Sequence, residues 1–135
     1  MIIEHTRSPD NTDVDFLTQR INEETPEYGE AYPFGFFMRN EAGELIAGCN
    51  GSVIFGAIYT DQLWVHPNHR RQGLGQKLME SVHAYGRRVG CTMATLATMS
   101  FQGAQNFYER LGYVHDFERQ GYVKGASCLF LRKVL

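Results

Sequence analysis

The stretch Leu63-Trp64-Val65-His66-Pro67-Asn68-His69-Arg70-Arg71-Gln72-Gly73-Leu74-Gly75-Gln76 limits the fold more than any other part of the sequence. A β-rich segment from Ala57 runs into it through His66 and stops at Pro67, which cannot continue a ladder. From Gly73 onward, Leu74, Leu78, Val82, Tyr85 and Val89 recur at helical spacing, with Gly90 as the stop. A strand is thus followed by a short basic turn and then directly by a helix. The first four N–H groups of such a helix lack partners, and the macrodipole gathers positive charge there. Phosphate is the ligand this favours. Gly73 and Gly75 remove Cβ atoms from its approach, while Arg70 and Arg71 add charge-assisted donors.

The common nucleotide signatures do not fit. No G-x-x-x-x-G-K-[ST] loop occurs, and the dinucleotide fingerprint needs glycine where Leu78 stands. The remaining elements follow from periodicity. Ile2 to Thr6 reads as a first strand, and Asp10 to Asp13 offers caps for a helix carrying Val14, Leu17 and Ile21. Pro26, Gly29 and Pro33 break the next stretch into a loop with room for one further helical turn. Phe34–Arg39 and Leu45–Ile54 form a hairpin, continued by a third strand from Ala57. Thr92–Met99 is a buried strand, Ala104–Leu111 a second apolar helix, and Tyr113–Arg119 and Ser127–Val134 two last strands. The helix after Gly73 can only be a βαβ crossover, which makes its flanking strands parallel. The expected fold is α/β (α+β), one domain over residues 1–135.

Composition narrows the function classes. Hydrophobic residues at 43% and charged residues at 21% describe an ordinary globular chain. No apolar run is long enough to span a bilayer, and the first residues lack the pattern of a secretory signal, so the expected compartment is the cytoplasm. The three cysteines, Cys49, Cys91 and Cys128, are widely spaced and read as buried thiols. His66 and His69 have no third ligand at matching spacing, so no metal is expected. The basic residues of the C-terminal half are scattered over separate elements, which argues against nucleic acid. Residues 1–61 carry 11 acidic and 3 basic side chains, residues 62–135 carry 4 and 10. This asymmetry suggests one face for a cation and one for an anion.

Arg70-Arg71-Gln72-Gly73-Leu74-Gly75 resembles motif A of the GNAT N-acetyltransferase superfamily, [Q/R]-x-x-G-x-[G/A]. Asn106-Phe107-Tyr108-Glu109-Arg110-Leu111-Gly112-Tyr113 is similar to its motif B, and the element order agrees from Ile2 to Leu135. The resemblance implies a mixed, mostly antiparallel sheet of about seven strands with a parallel central pair, and about four helices. It implies direct attack of a primary amine on acetyl-CoA, without an acyl-enzyme or a metal. Leu63, Trp64 and Val65 would then meet the pantetheine, and Arg70, Arg71, Gln72, Gly73, Leu74, Gly75 and Gln76 the pyrophosphate. The asparagine that the family often has seven residues before the motif B tyrosine is Phe101 here, leaving Gln102 as the nearest amide.

On spacing alone Tyr108 is one more core aromatic; the resemblance makes it the general acid for the leaving thiolate. The Val65 N–H is the candidate oxyanion donor, and Asp61 the carboxylate that takes the amine proton through water. Glu24, Glu27, Tyr28 and Tyr32 lie in the segment that flanks the acceptor in similar proteins, where they would favour a cationic small molecule or peptide. Solvated surface is the plain alternative for each glutamate. A non-catalytic acyl-CoA sensor on the same fold is the competing function, and the resemblance also allows a homodimer through the C-terminal strands.

Overall fold

The crossover expected at the basic turn organises the sheet. The structure is a computed structural model that describes every residue from Met1 to Leu135. Its elements are α1 (Asn11–Glu24), β1 (Tyr32–Arg39), β2 (Leu45–Ile54), β3 (Ala57–Val65), α2 (Leu74–Arg88), β4 (Met93–Met99), α3 (Gln105–Arg110), β5 (Val114–Arg119) and β6 (Cys128–Val134). The strands lie in the order β1-β2-β3-β4-β6-β5. Only β3 and β4 are parallel; every other neighbouring pair is antiparallel. The expected mixed sheet with its parallel central pair is therefore present. No helix is long and apolar enough to cross a membrane.

Two counts differ from expectation. The sheet has six strands and the chain three α-helices, supplemented by short 3-10 turns such as Pro26–Tyr28. The missing strand is Ile2–Thr6, which forms no ladder and leaves Ile2 and Ile3 91% and 98% exposed. A strand exists only by pairing, and these residues meet no neighbour; the outer edge of β1 stays open.

The apolar stripe of α2 faces the sheet, shifted slightly from its sequence reading. Leu78, Met79, Val82, His83 and Gly86 are buried, while Val89 is exposed. Leu78, Met79 and Val82 join Ile58, Ala94, Leu96, Leu129 and Leu131 from the strands in the core. Burying each larger aliphatic side chain stabilises the fold by about 1.5–3 kcal/mol.

The pairing of β2 with β3 slips by one residue: Asn50 faces Gln62, but Gly51 faces Thr60. Asp61 is the extra residue, a bulge that turns both Asp61 and Gln62 outward. On the opposite strand, a Cβ at Gly51 would sit 1.8 Å from the Tyr59 carbonyl oxygen. Only glycine tolerates that approach. Replacing Gly51 with alanine should lower the unfolding free energy by about 2 kcal/mol or more, read as a shift of the urea midpoint at unchanged slope.

Candidate active site at the parting of two strands

The bulge has a direct consequence for β3. Its pairing with β4 runs from Ala57↔Met93 to Thr60↔Leu96 and then ends. Beyond that point β3 is held only by β2. The His66 N–H donates to the Ile46 carbonyl at 2.7 Å, toward β2. Backbone groups alternate in direction along a strand, so the N–H of Val65 points the other way, into the gap left by β4. The carbonyl of Val65 points there too, and accepts from Nε of Arg70 at 2.9 Å.

The turn after β3 is built from its own side chains. Nδ1 of His66 accepts from the Asn68 N–H at 3.0 Å, and His69 packs edge-on against His66. Both histidines thus shape the turn, and no three metal-binding side chains converge anywhere. Arg71 adopts a left-handed conformation (φ 62°) and Gly73 another (φ 78°), where it caps α2. No side chain satisfies the first N–H groups of α2; the first turn closes only with Lys77 N–H to the Gly73 carbonyl at 3.0 Å. The amides of Leu74, Gly75 and Gln76 are left as free donors.

The gap and this turn open into one cleft of about 1100 Å³. Its wall contains Asp61, Leu63, Trp64, Val65, Arg70, Arg71, Gly73, Leu74, Gly75, Gln76, Gln102 and Tyr108, so residues singled out from sequence meet in one place. Gln72, Glu24, Glu27, Tyr28 and Tyr32 do not line it. Tyr32 instead packs against the core. Glu24, Glu27 and Tyr28 lie exposed on or just after α1. Sequence reading missed Thr98, Ala104, Phe107, Arg110 and His69 in the wall.

Gly75 lines the cleft and also has a packing role. A Cβ there would come within 3.3 Å of the Phe107 ring and 3.9 Å of Val65, so this glycine lets α2 approach α3. The Oε1 of Gln102 accepts from Thr98 Oγ1 at 3.0 Å and from the Met99 N–H at 2.8 Å. Its oxygen is thereby committed to its own turn, leaving only the amide NH₂ for a ligand.

Tyr108 stands edge-on to Phe107 and to Tyr113, with ring centroids 5.1 and 5.7 Å away. Burial pushes its phenol up to about 12. Tyr113 is raised by the same cause and shares a 2.8 Å hydrogen bond with Nε2 of His83. Burial, helped by the nearby Lys133 and Arg87 charges, lowers His83 to about 4 and keeps the imidazole neutral. The three cysteines are free and buried, and burial raises Cys49 to about 11, far from a reactive thiolate. Two buried oxygens at the bulge, Asn50 Oδ1 and Thr60 Oγ1, have no hydrogen-bond partner.

Residues 4–113 match the model of the acetyltransferase (GNAT) family, and the chain belongs to that family. Blasticidin-S acetyltransferase of Streptomyces morookaense is 39% identical over 103 residues, 76% of this chain and 75% of that protein. The fold of an acetyltransferase from Agrobacterium tumefaciens superposes with a TM-score of 0.78 at 23% identity, covering 100% of both chains. A streptothricin acetyltransferase from Bacillus anthracis, solved with acetyl coenzyme A, superposes with a TM-score of 0.69 at 14% identity, over 76% of this chain and 62% of that one.

Two measurements probe the site. Gly73→Ala strains a left-handed residue by about 1–2 kcal/mol. Gly73→Asp adds a carboxylate at the free amides, so calorimetry should show coenzyme A affinity falling far more in Gly73→Asp than in Gly73→Ala. For His83, the folded value lies below the unfolded one, so its stabilising effect is complete above about pH 6.5 and is lost as pH falls toward 4. Its full loss amounts to about 3 kcal/mol. Unfolding free energy measured between pH 7 and 4 should fall accordingly, and His83→Gln should flatten that slope.

Proposed function

We propose that this protein transfers the acetyl group of acetyl-CoA directly to a primary amine of a cationic small molecule or peptide, in the cytoplasm. The observation that carries the reading is the single cleft holding two sets of unpaired backbone donors, those opening α2 and that of Val65. The first set suits a pyrophosphate, backed by Arg70 and Arg71. The second suits the oxyanion of a tetrahedral intermediate, and such a donor contributes about 3–4 kcal/mol to catalysis. The 39% identity to a blasticidin-S acetyltransferase makes blasticidin S the first acceptor to assay.

In this reading the pantetheine lies along Leu63 to Val65 in place of the absent β4 pairing. The amine attacks the thioester carbon while the Val65 N–H holds the developing oxyanion. Asp61 sits on the bulge and takes the amine proton through a water. The carboxylate also raises the neighbouring Tyr59, after burial. Collapse of the intermediate breaks the carbon–sulfur bond and releases the thiolate.

Tyr108 then has a narrower part than a matched acid. A phenol near 12 facing a thiol near 8.5 would give up its proton uphill by about 5 kcal/mol. It therefore acts mainly by donating a hydrogen bond to the departing sulfur, and the thiolate needs no stronger acid at neutral pH.

Thiol release from acetyl-CoA, measured with blasticidin S, polyamines and lysine-terminal peptides, tests the function. Coenzyme binding without turnover on any amine would instead leave an acyl-CoA-binding module. Tyr108→Phe should lower kcat by about 10–100-fold with coenzyme affinity within twofold. Equal turnover would remove Tyr108 from the chemistry.

A further inference from the structure

A compact monomer of 15.4 kDa would leave about 7,200 Å² of surface accessible, by the scaling of area with mass. This chain leaves 9726 Å², about 2,500 Å² more than that expectation. The excess comes with two unpartnered apolar surfaces.

The first is α1. It buries no residue, and Val14, Phe16, Leu17 and Ile21 remain 44–61% exposed. An amphipathic helix is stabilised by packing its apolar side, and this one packs against nothing in its own chain. Its one firm tie is at its end: the Asn22 side chain bonds both the N–H and the carbonyl of Ala31, at 2.8 and 2.9 Å. That clamp fixes how α1 leaves β1.

The second is the sheet face opposite α2. Strand register places Phe37, Gly48 and Trp64 in one row across β1, β2 and β3. A Cβ at Gly35 or Gly48 would lie 2.7 or 2.8 Å from the Phe37 ring, so the ring rests on these glycines, half-exposed. Farther along the same face, Phe117 and Phe130 stack at 4.3 Å, and the Arg119 guanidinium spreads over both rings with no carboxylate partner. A solvent-facing surface of this composition marks an interface.

We propose that the chain is a homodimer in which α1 and the arm before it cross to a second copy, the apolar side of α1 lying on the open face of that copy's sheet, reciprocally. The dimensions agree. Fourteen helical residues span about 21 Å, and six strands about 24 Å. The charges agree as well. Residues 1–31 carry eight acidic and two basic side chains, and the open face carries Arg39 and Arg119 without carboxylate partners, while Arg132 is already paired with Asp116 at 2.7 Å. A two-fold exchange buries the same pair of surfaces twice, and the excess area per chain is of the size that obligate homodimers bury.

Sedimentation velocity at about 10 μM decides between these states. The wild-type chain is expected at twice its 15.4 kDa mass. Leu17→Glu combined with Ile21→Glu should raise the dimer dissociation constant at least 100-fold, with helix content and coenzyme A binding retained, because neither residue is buried in its own chain or lines the cleft. Phe37→Glu, on the other surface, should do the same. A monomeric wild type overturns the proposal. So does a dimer that survives both sets of changes, or one broken only by Val114→Glu on the free edge of β5, which would place the contact at the C-terminal strands.

Discussion

Four residue pairs hold β3 to β4, and the place where that pairing stops determines everything at the site. A parallel pair that continued past Thr60 would consume the amides of Leu63 and Val65 in the ladder. The bulge at Asp61 prevents this by turning β3 out of register with β2 and twisting it away from β4. The bulge in turn requires that Gly51, on the far strand, carry no side chain against Tyr59. A glycine that never lines the cleft therefore sets the direction of the amides that do.

Charge is then placed on this frame by anchoring one arginine rather than by collecting many. Arg70 is tied to the Val65 carbonyl, so it fixes the turn to the strand end as well as carrying charge. The left-handed conformation of Arg71 is uncommon for a residue with a side chain, and it falls in a turn that opens with the His66 cap on the Asn68 N–H. Gly73 takes the same conformation without strain and opens the helix start to solvent. The result is an electropositive corner made largely of backbone.

Much of this was legible in the sequence because it rests on local pattern. The crossover, β2 and the boundaries of α2 follow from Pro67, from alternating residues and from an apolar stripe ended by glycine. What depends on a neighbour was not. The Ile2–Thr6 strand has suitable residues and no edge to pair with. The apolar stripe read from the sequence does not include His83; only the fold reveals that it is buried on α2 and hydrogen-bonded to Tyr113. Gly75 fitted a phosphate motif, while its tightest neighbour is Phe107 of another helix. Motifs report which residues matter before they report what those residues touch.

The same limit governs acceptor recognition. Asp61 is the only carboxylate in the cleft wall, facing a set of cations that includes Arg70, Arg71 and Arg110. The acidic surplus of the N-terminal half lies elsewhere, much of it on and around the exposed α1. On the proposed reaction, attraction for a cationic amine would act at one end of a cleft that is otherwise suited to an anion. The bulge turns the Asp61 side chain outward beside Tyr59, four residues before Val65 on the same strand. A single local irregularity in β3 thus presents the one carboxylate of a cleft whose other charged side chains are cations.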